Sequence, residues 1–102
     1  MEFQSNVNII DLNVSWNGFG YEGSVALGSL LKHNKNIQYL DASHNRINHK
    51  GALLLAAGLK HNYVLEELRL VGNPLSTTGA LDILDAVSLA NSAVKLLDLQ
   101  VK

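Results

Sequence analysis

The stretch "LDASHNRINHKG", residues 40–51, packs His44, Asn45, Arg46, Asn48, His49 and Lys50 into a dozen positions. These side chains can bind metal, move protons or hold anions. A metal site needs three or four converging ligands, yet the only local pairing is His44 with His49, without a carboxylate at a familiar offset. No metal is expected. His33 and His61 form a second pair, beside Lys32 and Lys60, at the ends of two expected helices. Cationic and part-cationic groups suit that place, because they complement the helix dipole and bond its last carbonyls. Ser15 and Ser43 recur with the spacing described next, and neither they nor Thr77 approach a base held by a third group. The loop "WNGFGYEG" does not follow a phosphate-binding pattern. No enzyme activity and no cofactor are expected.

The elements that position these residues come from an internal period of 28 residues. Asn17, Asn45 and Asn73 are 28 apart, as are Gly23, Gly51 and Gly79, Leu12, Leu40 and Leu68, and Phe19, Ile47 and Leu75. One residue is added in the third unit, after which Val94, Leu97 and Leu99 take the places of Leu65, Leu68 and Leu70. The chain therefore reads as one domain, residues 1–102, with repeats at about 9–36, 37–64 and 65–93 and a truncated repeat at 94–102. Each unit opens on a short alternating strand, as in "LEELRLVGNPL", and continues as a helix, as in "GALLLAAGLKHN". Ala52, Leu55, Ala56 and Leu59 fall on one face of that helix. Gly20, Asn48 and Ser76 precede the three helices at one phase and fit the N-cap place. A strand and a helix repeated in one direction stack into a parallel sheet backed by helices, since one unit cannot bury its own apolar face.

The pattern L-x-x-L-x-L-x-x-N-x-L with a glycine-led helix resembles the leucine-rich repeat, and its length is similar to that of the ribonuclease-inhibitor subclass. The departures are Ala42 at a position that usually carries leucine, and Lys102 where the fourth unit would carry asparagine. The resemblance implies an α/β solenoid, a right-handed βα superhelix with a parallel sheet on its concave face and helices on its convex face. It also implies that Asn17, Asn45 and Asn73 form a structural ladder, bonding buried backbone of neighbouring turns. Ribonuclease inhibition is not carried over, because that inhibitor is rich in cysteine and this chain has none.

Composition narrows the partners. Eight Lys and Arg balance nine Asp and Glu, a net charge of -1, so no global field draws the chain to nucleic acid or an acidic membrane. The absence of cysteine suits a reducing compartment, and a cytoplasmic location is expected. The apolar run "ALLLAAGL" is too short to cross a bilayer. Asn13-Val14-Ser15 is formally a glycosylation sequon, but it falls in an expected strand.

Stacked strands bring equivalent outward residues about 4.8 Å apart. One column should hold Asp11, Tyr39, Glu67 and Leu96, the next Asn13, Asp41, Arg69 and Asp98, and a third Ser15, Ser43, Val71 and Gln100. Arg69 is expected to pair along its column with Asp41 and Asp98. With Asp11, Asp41, Glu66, Glu67 and Asp98 against Arg69 and Lys95, this face carries a formal charge of -3. The expected function is a non-catalytic scaffold that binds a protein, one with a basic surface, through Asp11, Asn13, Tyr39, Asp41, Glu67, Arg69 and Asp98. Trp16 and His44, at the strand exit, are further candidates, although packing of Trp16 with Phe19 and Tyr21 is the favoured reading. The alternatives are regulatory, since proteins with similar repeats include activators of the Ran GTPase, or cytoskeletal capping, as in tropomodulins. The chain reads as an excerpt of a longer array with uncovered edge strands at 1–8 and after the last strand, which would favour homodimers.

Overall fold

The computed structural model describes residues 9–89 and 91–100. The departure at Lys102 and the edge at 1–8 lie outside them. Strands β1 (Asp11–Asn13), β2 (Tyr39–Asp41), β3 (Glu67–Arg69) and β4 (Leu96–Asp98) alternate with helices α1 (Gly20–His33), α2 (His49–Leu59) and α3 (Ser76–Val87). The strands form one parallel sheet in chain order, with Leu12 opposite Leu40, Leu40 opposite Leu68 and Leu68 opposite Leu97. This is the parallel sheet backed by helices that the period predicts, arranged as the α/β solenoid that the resemblance to leucine-rich repeats implies.

Each strand is only three residues long, and its central leucine points to the helices while its neighbours point away. The core lies between the two layers. Leu40, Leu68, Leu70, Ile47 and Leu75 from the strand side meet Leu27, Leu31, Leu55, Ala56 and Ile83 from the helices, all buried. Ala42, the departure from the leucine pattern, is fully buried, so the site accepts a smaller side chain without opening to solvent.

Of the three expected caps, Asn48 holds the N-cap place, whereas Gly20 and Ser76 are the first residues of α1 and α3, after Phe19 and Leu75. Asn48 precedes α2 in an extended conformation, and its Oδ1 accepts from the Gly51 amide at 3.0 Å. Ser76 opens α3 at φ 64, and its Oγ accepts from the Gly79 amide at 3.3 Å. Gly20, at φ 61, has no side chain to cap with, and its own amide donates to the Asn45 carbonyl at 2.8 Å.

The helix-to-strand turns are held by a second pair of asparagines that the sequence reading left unassigned. Asn34 Oδ1 accepts from the amides of Asn36 and Ile37, both at 2.8 Å. Asn62, 28 residues on, accepts from Val64 and Leu65 in the same way, while its Nδ2 donates to the Leu31 carbonyl at 2.8 Å. The matching acceptor for the buried Nδ2 of Asn34 would fall one repeat before Leu31, outside the described residues, and that nitrogen has no partner among those described. The signal was in the sequence, since Asn34 and Asn62 share one phase of the period.

Candidate functional site

The strand register assembles the outward columns. Asp11 faces Tyr39, Tyr39 faces Glu67 and Glu67 faces Leu96, while Asn13, Asp41, Arg69 and Asp98 succeed one another in the neighbouring column. Together Asp11, Asn13, Tyr39, Leu40, Asp41, Glu67 and Arg69 line a shallow depression of about 390 Å³ on the sheet. The third column is less available than expected, because Ser43 is buried.

Charge pairing on this face differs from the expected pattern. Arg69 lies 3.3 Å from Glu67 on its own strand and 3.7 Å from Asp98 on the next. Asp41 is not among its described partners; the Asp41 carboxylate instead accepts from the Ser43 amide at 3.0 Å. Asn13 makes the equivalent bond to the Ser15 amide and a second to the Ser15 hydroxyl, at 3.0 and 2.7 Å. These short loops fix the outward residue of each strand end against the following backbone. Lys95 pairs with Glu66 at 3.1 Å. Exposed pairs such as these contribute well under about 1 kcal/mol to stability, but they decide which charges a partner meets. Among the described residues, Asp11 and Asp41 keep carboxylates unmatched by a cation.

At the strand exits the side chains form a stack. The Trp16 indole lies 3.7 Å from the His44 imidazole, centroid to centroid, with the planes 12° apart. His44 in turn lies against Gly72, so closely that a Cβ on Gly72 would collide with the imidazole. The expected packing of Trp16 with Phe19 and Tyr21 is therefore corrected: the ring sits on His44, and Trp16 is 74% exposed. Its backbone explains the difference. Trp16, His44 and Gly72 share one phase and all have positive φ, 62, 57 and 76. Only glycine takes this conformation without steric cost, and here it turns the Trp16 side chain out of the core and over its neighbour. Arg46, also at positive φ, joins Trp16, Gly18, His44 and Pro74 around an open depression beside the stack.

The ladder supports both surfaces from beneath. Asn45 is fully buried. Its Oδ1 accepts from the Asn17 amide at 2.8 Å, and its Nδ2 donates to Val14 and Ser43 at 2.8 and 3.1 Å. Asn73 repeats the set, accepting from Asn45 and Ile47 and donating to Ala42 and Leu70. Among the described residues, no group of three or more His, Asp or Glu is placed to hold a metal ion. At the helix ends, His33 Nδ1 lies 3.0 Å from the Ser29 carbonyl, the last-turn bond expected of it.

Residues 5–28 and 33–56 match a family model described as Leucine Rich repeat. No curated protein matches the chain. Among solved structures, the chain is similar to one named Leiomodin-1 Actin-Binding Site 2 (ABS2), with a TM-score of 0.83, 23% sequence identity and 92% of this chain covered. The match spans about half of that structure, 54% of its length. At this identity the likeness establishes the solenoid fold. No helix among the described residues is long and apolar enough to cross a membrane.

Proposed function

We propose that this chain is a non-catalytic protein-interaction module of the ribonuclease-inhibitor-like subclass, binding a partner with a basic surface through its concave sheet and strand-exit edge. The observation that carries the reading is the charge pattern of the sheet. Arg69 is occupied by Glu67 and Asp98, which leaves Asp11 and Asp41 flanking Tyr39 to meet incoming cations. Trp16 adds a large, exposed and already oriented aromatic at the rim, the type of residue that dominates protein interfaces. Its stack on His44 fixes it before a partner arrives, so little rotamer entropy is lost on binding.

A second reading, the cytoskeletal one, gains support from the solved structure named as an actin-binding site. It makes actin the first partner to try. The GTPase-activating reading has no comparable support, since Arg69 is already held by two carboxylates.

The test compares wild type with Tyr39→Ala/Asp41→Lys in binding to a lysine-rich peptide and in co-sedimentation with filamentous actin. Wild type is expected to bind the basic peptide and the variant to lose roughly tenfold or more in affinity, the effect of removing an interface aromatic and reversing a charge. Equal binding by both proteins would remove the concave face from consideration. Co-sedimentation of wild type alone would select the cytoskeletal reading.

A further inference from the structure

The outer face of the helices carries a pattern the concave reading does not use. Val25, Leu53 and Leu81 occupy one phase of the repeat, and they are 47, 56 and 52% exposed. They sit on α1, α2 and α3, which pack side by side, so they form an apolar row across the convex surface. Two helical turns further along the same faces come Lys32 on α1 and Lys60 at the end of α2, about 10 Å away along each axis. On α3 the charge changes sign, with Asp85 at the phase of Ser29 and Ala57.

Between α1 and α2 this surface dips into a groove of about 340 Å³, lined by Val25, Leu54 and Ala57 and ending at Lys32, His33 and His61. Its floor is low because two glycines lie on the seam. A Cβ on Gly28 would come within 2.8 Å of the Leu54 carbonyl oxygen, and one on Gly58 would collide with the Gly28 carbonyl. The described ion pairs all lie on the strand side, and none involves Lys32 or Lys60. Lys35 is already engaged, donating to the Lys32 and His61 carbonyls and lying 4.8 Å from the Tyr63 ring centroid.

We propose that the outer face of α1 and α2 docks an acidic amphipathic helix of a partner protein, laid across the groove between them. Neighbouring packed helices stand about 8–10 Å apart, and residues i and i+7 of an α-helix are separated by about 10 Å on one face. A helix laid across α1 and α2 therefore sets two aliphatic side chains over Val25 and Leu53. Glutamates along one flank then reach Lys32 and Lys60. Asp85 repels that flank on α3, which confines the footprint to the first two repeats. This site is separate from the concave sheet and does not depend on its occupant.

The probe is a synthetic helical peptide with leucines at i and i+7 and glutamates on one flank, titrated into the isotope-labelled chain by heteronuclear NMR. Saturable binding is expected, with amide shifts concentrated at Val25, Ser29, Lys32, Leu53 and Ala57. Lys32→Glu/Lys60→Glu should weaken it roughly tenfold, and Asp41→Lys should leave it unchanged. Both lysines are exposed, so the charge variants should fold, as an unaltered circular dichroism spectrum would verify. Shifts centred on the sheet or on Trp16, equal binding by a peptide with lysines in place of its glutamates, or no saturation would overturn the proposal. Binding to phosphatidylserine vesicles with none to the peptide would overturn it in favour of a lipid surface.

Discussion

Asn17 and Asn45 are the same residue at the same phase of the repeat, yet one is exposed and the other has no solvent contact. Both donate to the carbonyls of Val14 or its successor turn. Asn45 also accepts the Asn17 amide and lies under a second turn, whereas Asn17 has no described turn on its other side. In a solenoid the surroundings of a residue are set one period away along the chain. A framework position and a surface position can therefore share one letter of the sequence.

The largest test of this contrast is Asn45→Ala, which leaves the Asn17 amide without its acceptor and takes one of two donors from each of the Val14 and Ser43 carbonyls, beside a cavity in the core. Destabilisation of about 3 kcal/mol is expected in urea unfolding. Asn17→Ala should cost below about 1 kcal/mol by the same measurement, and equal losses would erase the distinction. Gly58→Ala comes next, at about 2 kcal/mol, because its Cβ meets the Gly28 carbonyl and the α1–α2 seam must part. A neutral result would mean that the seam yields freely. The smallest expected effect belongs to Trp16→Gly. Relief of the positive φ offsets the lost stack on His44, so stability should stay within about 1 kcal/mol of wild type. Binding should nevertheless fall. A loss above about 2 kcal/mol would move Trp16 into the framework.

The framework was legible because the period repeats what stacking requires. Spacing and residue type located the strand and helix of each unit, the outward columns and the Asn48 cap, while the ladder role of Asn45 came from the resemblance to the leucine-rich repeat. The surface was less legible because it depends on backbone conformation and on competition between partners. The letters next to Trp16 do not announce a left-handed backbone, which shows in the sequence only as Gly72 two periods on at the same phase, and that conformation decides whether the indole covers core or solvent. By register Arg69 could reach Asp41 and Asp98; it pairs with Asp98 and with Glu67 of its own strand, while the Asp41 carboxylate accepts from the Ser43 amide. The exposed row of Val25, Leu53 and Leu81 shares one phase of the period, but the period does not say which side of a helix is left uncovered.

The strands stand in register without offset, Asp11 beside Tyr39 beside Glu67 beside Leu96, and this gives the concave sheet a ruler of its own. Its rungs are about 4.8 Å apart, while an extended peptide advances about 3.3 Å per residue. A peptide crossing the strands thus falls out of step with successive repeats, and three of its residues, about 10 Å, nearly span two rungs. Side chains of a strand alternate in facing, so the ligand that matches is one with three residues per turn, as in polyproline II at about 3.1 Å per residue, read at every third side chain against every second repeat.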